Sequence, residues 1–338
     1  MMVLLLLIGI VLASLLLTLA LRRYALSRSL MDIPNERSSH SLPTPRGGGA
    51  AIVLTFLLGL VVVKYAGLLP AYLFWALVGG GGIVAVVGWI DDRRDIPARL
   101  RLPGHFAGAL WALAWLGGLP ALPVFGLEIN LGIAGHILAA VYLVWLLNLY
   151  NFMDGINGIA GVEAITVCAG GIVLFWVSGV QADGMWILPA LLAAAAAGFL
   201  YLNFPRARIF MGDAGSGFLG FALAALAVLT WADGGLTIWA WLILLGVFIV
   251  DASITLVRRV VRGERFYEAH RSHAYQHASR YFGAHLPVTV AVAVLNLVWL
   301  APLAFAAVLW PAWGVVLLVV AWLPLAGICL YFRAGLRE

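Results

Sequence analysis

Three short segments of this sequence place carboxylates and amides where an apolar run gives way to polar residues. In Trp89-Ile90-Asp91-Asp92-Arg93-Arg94-Asp95 two adjacent acids close a hydrophobic stretch. Carboxylates beside hydrocarbon are unfavourable unless they meet a cation or a proton, and two neighbours repel unless something positive lies close. A divalent metal or a protonated partner would meet that need; the plainer reading is a solvated helix end whose arginines neutralise the acids. In Asn148-Leu149-Tyr150-Asn151-Phe152-Met153-Asp154-Gly155-Ile156-Asn157-Gly158, the residues Asn148, Asn151 and Asp154 share an i, i+3 row if the helix persists, and Asn157 follows. A polar row of this kind can line a cleft, whereas capping and glycine turns would account for its members one at a time.

The third segment, Phe210-Met211-Gly212-Asp213-Ala214-Gly215-Ser216-Gly217, surrounds one acid with three glycines. Glycine lets backbone N–H groups approach a phosphate, and a helix N-terminus adds partial positive charge. Asp213 would then hold Mg²⁺ against that phosphate, because this ion takes oxygen ligands and needs few from the protein. Taken alone, Asp213 could equally be the N-cap of the next helix. Pro43-Thr44-Pro45-Arg46-Gly47-Gly48-Gly49, preceded by Arg37 and His40, is either a phosphate-binding turn with Arg46 as its cation or a glycine surface for close helix packing. In Glu264 to His277, a helix would bring His270, His273 and His277 to one face. That spacing suits zinc, but with no fourth ligand or cysteine near, imidazole and guanidinium donors (His270, Arg271, His273) for an anionic substrate are preferred. Glu163 and Asp251 fall inside apolar runs, where interhelical hydrogen bonds are the favoured reading.

The elements that must position these residues are set by composition. Of 338 residues 64% are hydrophobic and 10% charged, too few charges and too much apolar surface for a soluble fold. Apolar runs long enough to cross a bilayer as helix recur near 2–21, 49–66, 70–90, 104–119, 132–150, 158–178, 185–203, 215–231, 235–257, 287–309 and 312–332. The expected architecture is an all-α polytopic membrane protein with about eleven transmembrane helices, forming a single integral membrane domain over 1–338. Met2 to Leu21 has no basic residue before it and Arg22-Arg23 after it, which suits an uncleaved anchor with its N-terminus outside. On that topology nineteen of the twenty Lys and Arg residues lie inside and only Lys64 outside, so the C-terminus and every polar segment above face the cytoplasm. The net charge of +5 is dispersed over many short loops and reads as topology signals and lipid contacts, not as a nucleic-acid surface. Cys168 and Cys329 sit within apolar runs as small buried hydrophobes.

Together the segments Pro43 to Gly49, Asp91-Asp92, Asn148 to Gly155, Phe210 to Ser216 and His270-Arg271-Ser272-His273 resemble the polyprenyl-phosphate N-acetylhexosamine-1-phosphate transferases, the membrane family that includes the bacterial phospho-N-acetylmuramoyl-pentapeptide transferase. They occur in the family's order on one expected face. Asp32 to His40 and His270 to His273 resemble the branch that initiates O-antigen or related surface polysaccharides. In the peptidoglycan branch a histidine cluster and a second acid in Asp-Gly-x-Asp-Gly are characteristic; here that position is Asn157.

The resemblance implies transfer of a sugar 1-phosphate from a UDP-N-acetyl sugar to polyprenyl phosphate with release of UMP, at the bacterial inner membrane, with Mg²⁺ as cofactor and Mn²⁺ as the alternative ion. It implies membrane lipid as a partner and leaves homodimerisation open. In this expectation Asp91 and Asp92 orient or deprotonate the lipid phosphate, and Asp213 and Asn151 hold Mg²⁺. Arg46, Asn148, Asp154, Asn157, His270, Arg271 and His273 bind substrate, with Asn157 at the uracil edge. A phosphate monoester is mostly dianionic at neutral pH, so direct attack is favoured over a covalent aspartyl intermediate. A transporter would tolerate intramembrane carboxylates but needs no one-sided clustering of polar motifs. A transferase using CDP-linked donors would place its aspartates on one helical stretch, not on three loops.

Overall fold

The computed structural model of the chain describes residues 1–34, 39, 42–94, 96–116, 119–179, 184–264 and 270–336. Arg37, His40, Asp95 and residues 265–269 therefore lie outside the described residues. Every expected apolar run forms helix. The helices are α1 (Met2–Ser27), α2 (Gly49–Tyr65), α3 (Ala71–Arg94), α4 (Ala98–Ala114), α5 (Gly132–Met153), α6 (Ile159–Val177), α7 (Ile187–Asn203) and α8 (Asp213–Ala232). Then follow α9 (Ile238–Leu244), α10 (Gly246–Val261), the short α11 (Ala274–Tyr281), α12 (Leu286–Val294), α13 (Ala301–Leu309) and α14 (Gly314–Tyr331), with a π-helical stretch Leu295–Leu300 joining α12 to α13.

Seven of these helical stretches are long and apolar enough to cross a membrane, and an eighth arises if α9 and α10 make one span. The expectation of about eleven spans is thus met as helices but not as full-length straight spans. The run 235–257 breaks at Leu245, where α9 and α10 meet at 75°. Helices α2, α4 and α7 have 17 residues each, about 25 Å of rise, short of a hydrocarbon core of roughly 30 Å.

Helix α8 is the axis of the bundle, with 94% of its apolar window buried. Its neighbours come close because glycines face it. A Cβ on Gly49 of α2 would lie 2.4 Å from the Gly215 Cα, one on Gly88 of α3 would lie 2.7 Å from the Ala214 backbone, and one on Gly220 would strike Tyr150 and the Leu146 carbonyl of α5. Small residues permit this approach of backbones in lipid. The consequence is that the C-terminal ends of α3 and α5 converge on the N-terminal end of α8.

Two strands tie the N-terminal connection to the same place. β1 (Met31–Asp32) pairs antiparallel with β2 (Thr44–Pro45), Asp32 opposite Thr44. The chain then knits onto the segment before α8: Phe210 N donates to Pro45 O at 2.8 Å, Gly48 N to Phe210 O at 2.9 Å and Gly49 N to Met211 O at 2.8 Å. At the opposite end of α5, the preceding connection folds as a hairpin, β3 (Leu122–Val124) with β4 (Leu127–Ile129). Both cysteines are buried and free. Glu163 is fully buried and accepts from Asn296 Nδ2 of the π-helical stretch at 2.6 Å, the expected interhelical bond.

Candidate active site

The two acids at the end of α3 point in different directions and serve different neighbours. Asp92 Oδ1 accepts from the backbone N–H of Asp213 at 2.9 Å and Oδ2 from that of Ala214 at 3.1 Å. A carboxylate from another helix thus caps α8, satisfying two of its orphan N–H groups and complementing its dipole. Arg46 completes the cluster, donating from Nη2 to the Asp92 carbonyl at 2.7 Å with Asp92 Oδ1 at 3.4 Å. The α8 N-terminus, expected to face a phosphate, gives its first amides to Asp92 instead. Asp92, expected to face the lipid phosphate, has both oxygens engaged and positions Asp213.

Asp91 is 3% exposed and accepts from the Ile96 N–H at 2.8 Å and from the Arg101 guanidinium. Arg101 stands in the first turns of α4 and also reaches Asp213 Oδ2 at 3.4 Å, joining the two acids through one cation. From α5, Asn151 Nδ2 donates to Asp213 Oδ1 at 3.0 Å and to Ser216 Oγ at 2.9 Å. Asn148, one turn earlier, donates to the Val144 carbonyl at 2.7 Å and lies beside His105 Nδ1 at 3.4 Å, in a small crevice with Arg101.

A cavity of about 210 Å³ gathers Arg46, Asp92, Asn151, Asp154, Asn157 and Asp213. Burial, and then the negative charges of Asp213 and Asp92, hold the Asp154 carboxyl well above the usual carboxylate range. Asn157 closes one wall. Its Nδ2 donates to the Pro205 carbonyl at 3.2 Å and its backbone N–H to His285 Nδ1 at 3.3 Å. One amide N–H is thus taken by the Pro205 carbonyl, leaving the second N–H and Oδ1 for the expected contact with a uracil edge.

Gly48 and Gly49 resolve toward packing. The N–H groups of Gly48 and Gly49 are bound to Phe210 and Met211 carbonyls, and Gly49 abuts Gly215, so neither offers an amide to phosphate. His270, Arg271 and His273 are not among the residues that line the cavity. Helix α11 begins only at Ala274, so His270 lies before it and the three histidines share no helical face. Asp251 caps α11 as Asp92 caps α8: Oδ1 accepts from Ala274 N at 2.9 Å and Oδ2 from Tyr275 N at 3.0 Å, with His273 Nδ1 at 3.2 Å. Burial and the neighbouring His273 and Arg259 push the His270 imidazolium down to about 3, leaving a neutral ring. In turn α11 clamps the end of α5, since Tyr275 Oη donates to the Phe152 carbonyl at 2.9 Å, over Gly155, where a Cβ would collide with that hydroxyl.

The donors suit Mg²⁺. Asp213 is 36% exposed, its second oxygen meets Arg101 at 3.4 Å with the Asp91 carboxyl beside it, and Asp154 and the Asn151 Oδ1 accept no hydrogen bond among the described residues. That is an oxygen-only set with two carboxylates, the kind Mg²⁺ shares with substrate phosphates, and not a closed cage. Among the described residues no group of three or more His, Cys, Asp or Glu is placed to hold a metal ion.

Arg101, Gln276 and His285 were not singled out from the sequence. Arg101 had one legible signal: a cation in the first turns of a helix opposes the helix dipole, so it must answer some nearby acid. Gln276 lines the cavity because α11 docks against the end of α5, and His285, which precedes α12, because it meets the Asn157 backbone N–H.

Residues 74–231, which carry Asp91, Asp92, Asp154 and Asp213, match the model of glycosyl transferase family 4. The chain is 30% identical over 311 residues to the decaprenyl-phosphate N-acetylglucosaminephosphotransferase of Mycobacterium leprae, covering 81% of this chain and 75% of that one. The chain belongs to glycosyl transferase family 4. Within this family it is also 28% identical over 296 residues to the probable undecaprenyl-phosphate N-acetylglucosaminyl 1-phosphate transferase of Bacillus subtilis, covering 83% and 78% of the two chains. A phospho-N-acetylmuramoyl-pentapeptide-transferase of Synechococcus elongatus matches at 31% over 227 residues, 58% and 57% of the two chains. The matches thus include both N-acetylglucosamine-phosphate transferases and a phospho-N-acetylmuramoyl-pentapeptide-transferase.

Proposed function

We propose that this member of family 4 transfers an N-acetylhexosamine 1-phosphate from a UDP-sugar to polyprenyl phosphate, releasing UMP and leaving a lipid-linked pyrophosphoryl sugar. The observation that carries this reading is the single cavity in which Asp213, Asn151 and Asp154 meet at the ends of apolar helices, with Arg46 on its wall. Oxygen donors for a divalent cation beside a guanidinium are what a pyrophosphate needs as its charge shifts in the reaction. The names of the Bacillus and Mycobacterium relatives support the lipid acceptor and the N-acetylated sugar.

Asp213, Asp154 and the Asn151 carbonyl would hold Mg²⁺, or Mn²⁺ in its place, and the bound ion would neutralise charge on the donor pyrophosphate. Asn151 and Asp92 fix Asp213, the first by its side-chain amide and the second through the backbone of α8. Arg101 balances Asp91 and Asp213, and the Asn157 Oδ1 offers an acceptor to the uracil N–H. The acceptor phosphate attacks the donor directly, since it already carries the negative charge that a nucleophile needs. The nineteen-to-one division of basic residues supports a cytoplasmic site, an outside N-terminus and an inner-membrane location. Service in O-antigen-type surface polysaccharide rests on the Asp32 to His40 and His270 to His273 segments.

The test is UMP release by purified protein given polyprenyl phosphate and a panel of UDP-N-acetyl sugars, with and without Mg²⁺. Turnover that requires lipid, sugar nucleotide and metal together is expected, and it should be lost in Asp213→Ala protein that still expresses and inserts. Lewis-acid stabilisation of several kcal/mol, roughly a thousand-fold in rate, is at stake at that residue. UMP release unaffected by Asp213→Ala would overturn the assignment, and UMP exchange without acceptor lipid would replace direct attack by a two-step route.

A further inference from the structure

A second cavity, of about 520 Å³, lies on the other side of Arg46 and Asp92. Both residues line both cavities, so their ion pair is the partition between an acidic chamber and a basic one. The basic chamber is walled by the end of α1 from Leu21 to Ala25, the turn at Ser29 to Met31, and the end of α3 from Trp89 to Arg94. Its rim is apolar and open, with Trp89 46%, Tyr24 45% and Leu30 38% exposed. Aromatic side chains at the ends of apolar helices sit at the headgroup level of a bilayer. Arg93 lies over the Trp89 ring at 4.0 Å, a contact that fixes the guanidinium plane without using its N–H donors.

The charges in this chamber are unevenly committed. Asp91 is bound to Ile96 and Arg101, and Asp92 to the α8 amides and Arg46, so neither carboxylate presents an unengaged oxygen pair. Arg46, Arg93 and Arg94 therefore set the sign of the chamber. An apolar mouth at headgroup depth with guanidinium groups behind it is complementary to one ligand class, an amphiphile with a phosphate head.

We propose that this chamber binds the anionic headgroup of a resident bilayer phospholipid, whose acyl chains follow α1 and α3. A reacting acceptor lipid is the poorer occupant, because the Arg46–Asp92 partition would stand between its phosphate and Asp213. A lipid that never reacts has no such obstacle. Its phosphate would share Arg46 with Asp92, and Asp92 carries the first amides of α8, so the occupant bears on the placement of Asp213.

The experiment is native mass spectrometry of the full chain released from nanodiscs of equal phosphatidylcholine and phosphatidylglycerol. Wild-type protein should retain phosphatidylglycerol and not phosphatidylcholine, and Arg93→Gln/Arg94→Gln should lose that retention by roughly ten-fold or more, as two headgroup-facing cations are removed. Each single variant, with a smaller loss, serves as the measurement if the double variant does not fold. Added undecaprenyl phosphate should leave phosphatidylglycerol in place. Equal retention of both phospholipids, retention indifferent to the arginine substitutions, or one-for-one displacement by undecaprenyl phosphate would each overturn the proposal, the last by giving the chamber to the acceptor. A transferase assay that fails would leave the retention result standing, so the two readings are separable.

Discussion

The carboxylate of Asp92 accepts the backbone N–H of Asp213 at 2.9 Å, so one acid of α3 holds in place the acid that opens α8. The bond to Ala214 at 3.1 Å makes Asp92 a two-point cap. Replacing a cap by Ala costs about 1 kcal/mol, and here it also frees the residue proposed to meet the metal. Asp92→Ala should lower both the thermal midpoint and kcat, whereas Asp213→Ala should lower kcat alone. Thermal unfolding in detergent beside the UMP assay separates the two; an Asp92→Ala protein with unchanged melting and lost turnover would return Asp92 to direct chemistry.

Arg101 compensates Asp91, which has almost no solvent contact. Breaking a buried pair by removing one partner is destabilising by about 3–5 kcal/mol, because a charge is left uncompensated; with Arg101 itself 28% exposed, the lower part of that range is expected. Arg101→Ala should therefore be poorly stable, and Asp91→Asn in the same chain should restore much of the loss. Stabilities of the two single variants and the double variant form the cycle, and strict additivity would show that the pair does not act as a unit.

Asn157 donates to the Pro205 carbonyl and lines the cavity. Asn157→Ala should raise the KM for the UDP-sugar roughly ten-fold, the loss expected for one hydrogen-bonded pair in a partly buried site. The Mg²⁺ requirement should be unchanged. Titrating nucleotide sugar and metal separately decides it: an altered metal requirement with unchanged sugar-nucleotide KM would remove Asn157 from the uracil site.

Asp154 should contribute to the pH dependence. Its carboxyl titrates well above the usual range through burial and the charges of Asp213 and Asp92. Protons and Mg²⁺ compete for the ionised form, so apparent Mg²⁺ affinity should be full above this raised value. It should weaken as pH falls through it, already above the ordinary carboxylate value of about 4. Stability has the opposite sign: a raised carboxyl favours the folded state at low pH and loses that contribution as pH rises through the folded value. Measuring the Mg²⁺ concentration for half-maximal turnover against pH, in wild type and Asp154→Asn, gives the test. A variant with the same pH dependence would place the titration elsewhere.

Much of this protein is determined by sequence alone. Apolar runs force helices because every backbone N–H and C=O must be satisfied within the segment in lipid, and all eleven runs are helical in the structure. The residue types of the site were also legible, since Asp91, Asp92, Asn151, Asp154 and Asp213 stand at the ends of those runs, where carboxylates and amides need partners. What the sequence could not decide is which way each group faces. Asp91 and Asp92 are neighbours in the chain, yet one turns to Arg101 and the other to the α8 amides, because Gly88 lets α3 and α8 touch at that point. His270, Arg271 and His273 share a motif with the site residues but not its cavity, because α11 starts after them and Asp251 takes up its first amides. Arg101, Gln276 and His285 enter the site only through the packing of α4 on α3, the docking of α11 on the end of α5 and the contact of the α12 N-terminus with Asn157. Hydrophobic pattern acts along one chain segment at a time and so fixes the helices; the partner of a polar side chain depends on which backbones glycine allows to meet, and that is settled only when the bundle closes.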